Sequence, residues 1–269
     1  MEILHAIVLG IVQGLSEFLP ISSSGHLELT RWLFGWDELS NELETSFDVA
    51  VHLGTLLGAI AYLRRDVAKY LTAGFAPLRR QPLGADGRIA WFLVVSMVPA
   101  GITGVLLKDQ ISDLDSIAMI AVMLIVFGVV LFFADRLPER RSLEDFTLRD
   151  ALLMGLGQAL ALQPGVSRSG ATLTVSRFVG FERDAAARLV FLMSLPVIAG
   201  AGVFSLADAD IPSDFWPPFL WGMAASAVTG WVAVWGTLRL VRSRTFRPFV
   251  IYRIGIGIAV LVILATGWR

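Results

Sequence analysis

LGIVQGLSEFLPISSSG, residues 9–25, and MGLGQALALQPGVSRSG, residues 154–170, decide how this chain folds. Each is an apolar segment broken by a proline, Pro20 or Pro164, set among serines and glycines. Proline lacks a backbone donor and disfavours helix in the residue before it, so a helix has to stop there. Gly10 and Gln13 recur as Gly155 and Gln158, 145 positions later; after one deletion Ser22, Ser24 and Gly25 recur as Ser167, Ser169 and Gly170 at the same offset. Gly35 and Gly180 keep that offset. The half-segments 151–162 and 170–181 give about 18 Å of helix each, too short for the roughly 30 Å hydrocarbon core of a bilayer. The regions 1–35 and 151–181 therefore predict two re-entrant helical hairpins.

The rest of the chain supplies the lipid-facing bulk. Of its 269 residues 55% are hydrophobic and 17% charged, with a mean hydropathy of +0.69, against about 25% charged in soluble domains. Six stretches have the length and character of membrane spans: 47–63, 89–107, 117–134, 189–207, 217–238 and 250–267. Arginines and lysines crowd 64–88, 135–149 and 239–253. The alternate connections carry Asp37, Glu38, Glu42 and Glu44; Asp109, Asp113 and Asp115; Asp208, Asp210 and Asp214, with Lys108 their one base. Basic loops stay cytoplasmic, so this alternation predicts both termini outside. MEILHAIVLG lacks a basic n-region and a small-residue cleavage site, which argues against a cleaved signal peptide. The net charge of −1 gives no reason to expect a nucleic-acid partner, and the absence of cysteine excludes disulfides, thiolate metal sites and thiol nucleophiles.

The expected architecture is an all-α integral membrane protein, six transmembrane helices plus two re-entrant hairpins, in a single domain over 1–269. Repeat one covers about 1–134 and repeat two about 151–267, and because one begins outside and the other inside they form an inverted-topology repeat.

Irregular backbone at membrane depth survives only beside protein or a wet cavity. Each Ser-Gly turn precedes a short helix, whose first amides and positive dipole end attract anions. Ser22, Ser23, Ser24, Ser167 and Ser169 add hydroxyls next to Gly25 and Gly170, and Arg168 offers a planar fork suited to phosphate oxygens. Helix capping alone would explain the serines, but not the arginine. Glu17 is a carboxylate in an apolar half-helix, where a central charge costs at least about 2.5–3.5 kcal/mol and therefore marks function or a partner. Gln13 lies four residues earlier on the same face, and His26 opens the next half-helix. Glu17, His26 and a serine offer a base, a proton carrier or nucleophile, and a positioned donor. Glu17 beside phosphates also suits a hard divalent cation, Mg2+ or Ca2+. His52 reads as a packing hydrogen bond, His5 as an interfacial residue, and Arg177, Arg183 and Arg188 as solvated cytoplasmic side chains.

GLSEFLPISSSGH (14–26), PGVSRSGAT (164–172) and FDVAVHLGTL (47–56) resemble the signature segments of the undecaprenyl-diphosphate phosphatase family, also called bacitracin-resistance proteins, and the likeness runs along essentially the whole chain. The resemblance implies hydrolysis of a polyprenyl diphosphate lipid to its monophosphate, recycling the carrier of cell-wall synthesis. It further implies divalent-cation dependence, bacitracin resistance on overproduction, and a site in the bacterial plasma (inner) membrane reached from the external face. By its motifs Gln13 and Glu17 form the first pair, Ser23 and His26 the second, and Ser167, Arg168, Ser169 and Thr172 the third. Catalysis is thereby assigned to Glu17, Ser23, His26 and Arg168. Phosphate binding falls to Gln13, Ser22, Ser24, Gly25, Ser167, Ser169, Gly170 and Thr172. Gln13 cannot ionise, which weakens it as a base or metal ligand, and the family often has Gln where this chain has His52. A homodimer is compatible with the sequence. Two other readings compete: a lipid flippase or secondary transporter, since carriers share inverted repeats with broken helices, and the lipid phosphatases built on Lys-Arg-Pro. The latter is rejected, because this chain has two lysines and no histidine after Arg168.

Overall fold

The computed structural model describes every residue except 37–38, 108–109, 111–115, 208–210, 242–244 and 269. The expected external charges Asp37, Glu38, Lys108, Asp109, Asp113, Asp115, Asp208 and Asp210, and the basic Arg242 and Arg244, lie outside the described residues. The described chain is helical, with one isolated bridge between Arg141 and Phe181. In order it forms α1 (Ile3–Phe18), α2 (Ser23–Phe34), α3 (Asn41–Tyr62), α4 (Arg64–Gly74), α5 (Ala85–Val95), α6 (Val98–Leu106), α7 (Ile117–Ala134), α8 (Leu148–Leu160), α9 (Arg168–Phe178), α10 (Arg183–Ala207), α11 (Trp216–Val241) and α12 (Arg247–Thr266).

Five stretches among the described residues are long and apolar enough to cross a membrane: α5 with α6, α7, α10, α11 and α12. α3 joins them as a sixth if it is counted with α4, from which it is bent by 88°. Leu220, Trp221, Val228, Trp231 and Trp235 on α11 and Ile251, Ile258 and Val262 on α12 are exposed, apolar surface that lipid solvates and water does not. The chain is a multi-pass membrane protein.

Within that shell, helices approach through small residues, as they must where lipid is as apolar as leucine. A Cβ added to Gly10 of α1 would lie 2.3 Å from the Gly222 carbonyl oxygen of α11. One on Gly58 of α3 would lie 2.2 Å from the Ala227 carbonyl oxygen. α1 and α3 are thus pressed against α11 with backbones almost touching, which fixes where the C-terminal end of α1 points.

The basic side of the molecule is tied by arginines. Arg141 donates to both carboxylate oxygens of Asp150 at 2.9 and 2.6 Å, and Thr147 adds its amide and hydroxyl to the same carboxylate at 2.9 and 2.6 Å, capping α8. Burial works to raise the Asp150 carboxyl, but the bonds from Arg141 and Thr147 outweigh it and hold the group below the usual aspartate value. Arg183 donates to Asp135 Oδ1 at 2.6 Å, and Asp135 Oδ2 accepts the Phe246 amide at 3.0 Å. Arg177 departs from the solvated role expected of it: it is fully buried, donating to the carbonyls of Phe181 and, at 2.5 Å, Leu137. The Phe181 carbonyl follows the end of α9 and the Leu137 carbonyl follows the end of α7, both beyond the reach of helical donors, and the forked guanidinium satisfies them.

Candidate functional site

Two helix starts meet at the centre of the molecule. α2 begins after Ser22 and α9 after Ser167, and both serines take left-handed backbone, φ 79° and 76°, a conformation uncommon outside glycine. Each side chain accepts the amide three residues on, Gly25 at 3.4 Å and Gly170 at 3.0 Å. The bland capping role therefore holds for these two serines, while the remaining first-turn amides stay without intrahelical partners. The two turns touch: a Cβ on Gly25 would lie 3.4 Å from Gly165 Cα, and the Ser169 hydroxyl donates to the Leu19 carbonyl at 2.8 Å.

Glu17 ends α1 beside this junction and is buried. Its Oε2 accepts Gln13 Nε2 at 2.8 Å and the Ser23 hydroxyl at 2.6 Å, while its Oε1 accepts a guanidinium N–H of Arg168. An amide from α1, a hydroxyl from the start of α2 and a guanidinium from the start of α9 thus share one carboxylate. The Gln13 amide oxygen is buried and has no hydrogen-bond partner among the described residues.

His26 sits one turn into α2. Its Nδ1 lies 2.7 Å from the Ser22 carbonyl, which can only accept, so Nδ1 carries the proton and Nε2 keeps its lone pair. The Tyr252 hydroxyl, on α12, lies 3.0 Å from that Nε2, with the rings stacked 5.6 Å apart. The Tyr252 hydroxyl therefore donates to that lone pair, and His26 accepts a proton or attacks an electrophile only where the tyrosine gives way to the reacting group.

Some residues singled out in the sequence stand apart from the Glu17 group. Thr172 turns its hydroxyl back to the Arg168 carbonyl at 2.7 Å, and Ser167 and Ser169 share a contact of 3.2 Å. Gln158, the repeat counterpart of Gln13, donates instead to the Ser96 carbonyl at 3.1 Å. The second broken stretch carries no carboxylate, so the two hairpins contribute different groups to one site. His5 stacks on Trp36 with ring centres 4.0 Å apart, remote from the site.

Three neighbours were hidden from sequence reasoning. His52, expected to be a packing residue, fixes Nδ1 on the Asp48 carbonyl at 2.6 Å and brings Nε2 to 3.4 Å from Glu17 Oε2. Tyr252 holds His26. Arg253, counted among the basic cytoplasmic residues, is instead fully buried beneath the two turns. A tyrosine-arginine pair inside the apolar run PFVIYRIGIGIAV was the available signal for the last two.

The fold and the site define a class: a multi-pass membrane protein with a cluster of charged and polar side chains where two helix-turn-helix segments meet. The chain belongs to the bacitracin resistance protein BacA family, whose profile matches residues 6–259. It is 47% identical to an undecaprenyl-diphosphatase of Geobacter sulfurreducens over 98% of this chain and 99% of the relative. It is 43% identical to an undecaprenyl-diphosphatase of a Nocardioides strain over 99% and 98% of the two chains. With the undecaprenyl-diphosphatase of Pelotomaculum thermopropionicum it shares 42% identity over 99% and 98%.

Proposed function

We propose that this protein hydrolyses undecaprenyl diphosphate to undecaprenyl phosphate and inorganic phosphate, the step that recycles the carrier lipid of cell-wall synthesis. The observation that carries the reading is the convergence of Glu17, Ser23 and Arg168 from two distant segments, with His26 opening the same helix as Ser23. The full-length relatives are named for this hydrolysis, so the carrier alternative is set aside.

The arrangement suits phosphoryl transfer, which asks chiefly for positioning and charge neutralisation. Arg168 and the first amides of α2 and α9 hold the diphosphate. The Ser23 hydroxyl already donates to Glu17, the pairing of a nucleophile with its base. Ser23 Oγ attacks the terminal phosphorus as its proton passes to Glu17. The bond to the bridging oxygen breaks and undecaprenyl phosphate leaves. Water then attacks the phosphoserine phosphorus as its proton passes to His26 Nε2; Glu17 returns its proton to Ser23 Oγ as that P–O bond breaks, and phosphate leaves with the proton held by His26.

A divalent cation, Mg2+ or Ca2+, fits the donors present. Glu17 and the partnerless amide oxygen of Gln13 are hard oxygen ligands beside the phosphate position. Glu17 and Gln13 would hold the ion, which when bound neutralises diphosphate charge.

The finer architecture belongs to the same reading. The hairpins 1–35 and 151–181 are re-entrant, entering from opposite faces, and the chain is one membrane domain of two inverted repeats, about 1–134 and 151–267. Its support is the matched pair of left-handed serine caps at the same offset that the sequence shows. The pocket opens to the external face of the bacterial inner membrane, with the prenyl tail left in the bilayer.

The test is phosphate release from undecaprenyl diphosphate by purified protein in detergent, where no compartments exist. Wild type should release phosphate and monodisperse Arg168→Ala should not. Normal release by Arg168→Ala, or none by wild type, would refute the proposal.

A further inference from the structure

Resting on that reading of the site, we propose that Arg253 is the positioning residue that sets the spacing of the two turns, and through it the approach of Arg168 to Glu17 and Ser23. Arg253 spends its guanidinium on backbone carbonyls. NH1 donates to Pro20 at 3.1 Å, in the first turn, and NH2 donates to Gly165 and Val166, both at 3.0 Å, in the second. Nε donates to Leu124 of α7 at 2.9 Å. One planar group therefore spans both turns and pins them to a transmembrane helix.

The surroundings are shaped for this side chain along its length. A Cβ on Gly128 of α7 would lie 3.1 Å from Arg253 Cγ and 3.3 Å from Cδ, so that glycine makes room for the stem. A Cβ on Gly170 would lie 2.8 Å from NH1, so the start of α9 rests directly on the guanidinium. No carboxylate among the described residues forms an ion pair with Arg253; it is a buried cation bonded to carbonyls, and those carbonyls belong to the breaks where helical donors are missing. Only a rigid fork reaches both turns at once. Lysine places its donors at a point.

Arg253 does not touch the reacting atoms, so its loss should appear in kcat rather than in substrate capture. For Arg253→Met and Arg253→Lys, monodisperse in detergent, we expect kcat to fall about 100-fold, the scale of an ångström of misplacement, while KM changes less than about threefold. Methylguanidinium added to Arg253→Ala should restore part of kcat, and methylammonium should not. Wild-type kcat in Arg253→Lys would overturn the proposal, because charge alone would then suffice. So would a loss of activity that only tracks the fraction of protein no longer monodisperse.

A stability cycle reads the same contact without turnover. Gly170→Ala should lower Tm in the wild-type background and by much less in Arg253→Ala, where the crowded NH1 is gone. Additive shifts would also overturn the proposal. If wild type released no phosphate, the phosphatase reading would fall while this cycle still judged the staple.

Discussion

Glu17 and Arg168, 151 positions apart in the chain, meet in an ion pair whose carboxylate side chain is 2% exposed and whose guanidinium side chain is 19% exposed. The carboxylate is the more deeply buried of the two, and the guanidinium keeps part of its surface accessible.

Removing Arg168 leaves the buried Glu17 carboxylate without its arginine, a change that costs up to about 3–5 kcal/mol, while removing Glu17 leaves a part-exposed guanidinium and costs less. Glu17→Gln and Arg168→Gln should each lower Tm, and the double variant should lie well above the sum of the two. Each single change should also reduce kcat by about 10²–10³-fold, as losing one preorganised charge partner does in other enzymes. Thermal unfolding of the purified variants, followed by intrinsic tryptophan fluorescence, checks the coupling; additive Tm shifts would mean the pair is not coupled.

His52 touches Glu17 from α3, at 3.4 Å. A glutamine amide reaches the same oxygen as a donor, whereas leucine offers none. His52→Gln should keep kcat/KM within about fivefold of wild type, and His52→Leu should lose about 10- to 100-fold, the worth of a hydrogen bond to a charged group. Equal activities for the two variants would remove His52 from the site.

Asp150 gives the stability of the basic side a defined pH dependence. Its folded carboxyl lies below the ordinary aspartate value because Arg141 and Thr147 outweigh its burial. A depressed pKa contributes stability that is complete above the unfolded value and disappears as pH falls through the folded one. Asp150→Asn should therefore lower stability by about 1–2 kcal/mol at neutral pH and by progressively less below about pH 4. Tm measured against pH checks this; parallel curves for variant and wild type would refute it.

The spans were legible because hydropathy is a local property, and each expected stretch from 89–107 to 250–267 overlaps an observed helix. The polar residues of the two turns stood out for the same reason, since Glu17, His26 and Arg168 sit where the surrounding sequence is apolar. What stayed hidden was direction. Charge counting treats every arginine near a span end as solvated, and cannot separate one that reaches outward from one turned under its neighbours. Arg177 and Arg253 are of the second kind, both fully buried and bonded to carbonyls of broken backbone. His52 makes the packing hydrogen bond expected of it, to the Asp48 carbonyl, but its second contact is with Glu17 on a different helix, and no spacing along α3 reveals that.

The dependence of Glu17 on Arg168, and of both turns on Arg253, has a consequence for biogenesis. As the ribosome feeds the chain into the membrane, Glu17 enters lipid long before its counter-charge has been translated, and the staple under both turns comes later still. A chain interrupted between the halves would keep Gln13, Ser23 and His52 around Glu17 but lack the guanidinium that balances its charge. The site is complete only when nearly all of the protein has been made, since Arg168 and Arg253 both belong to its second half.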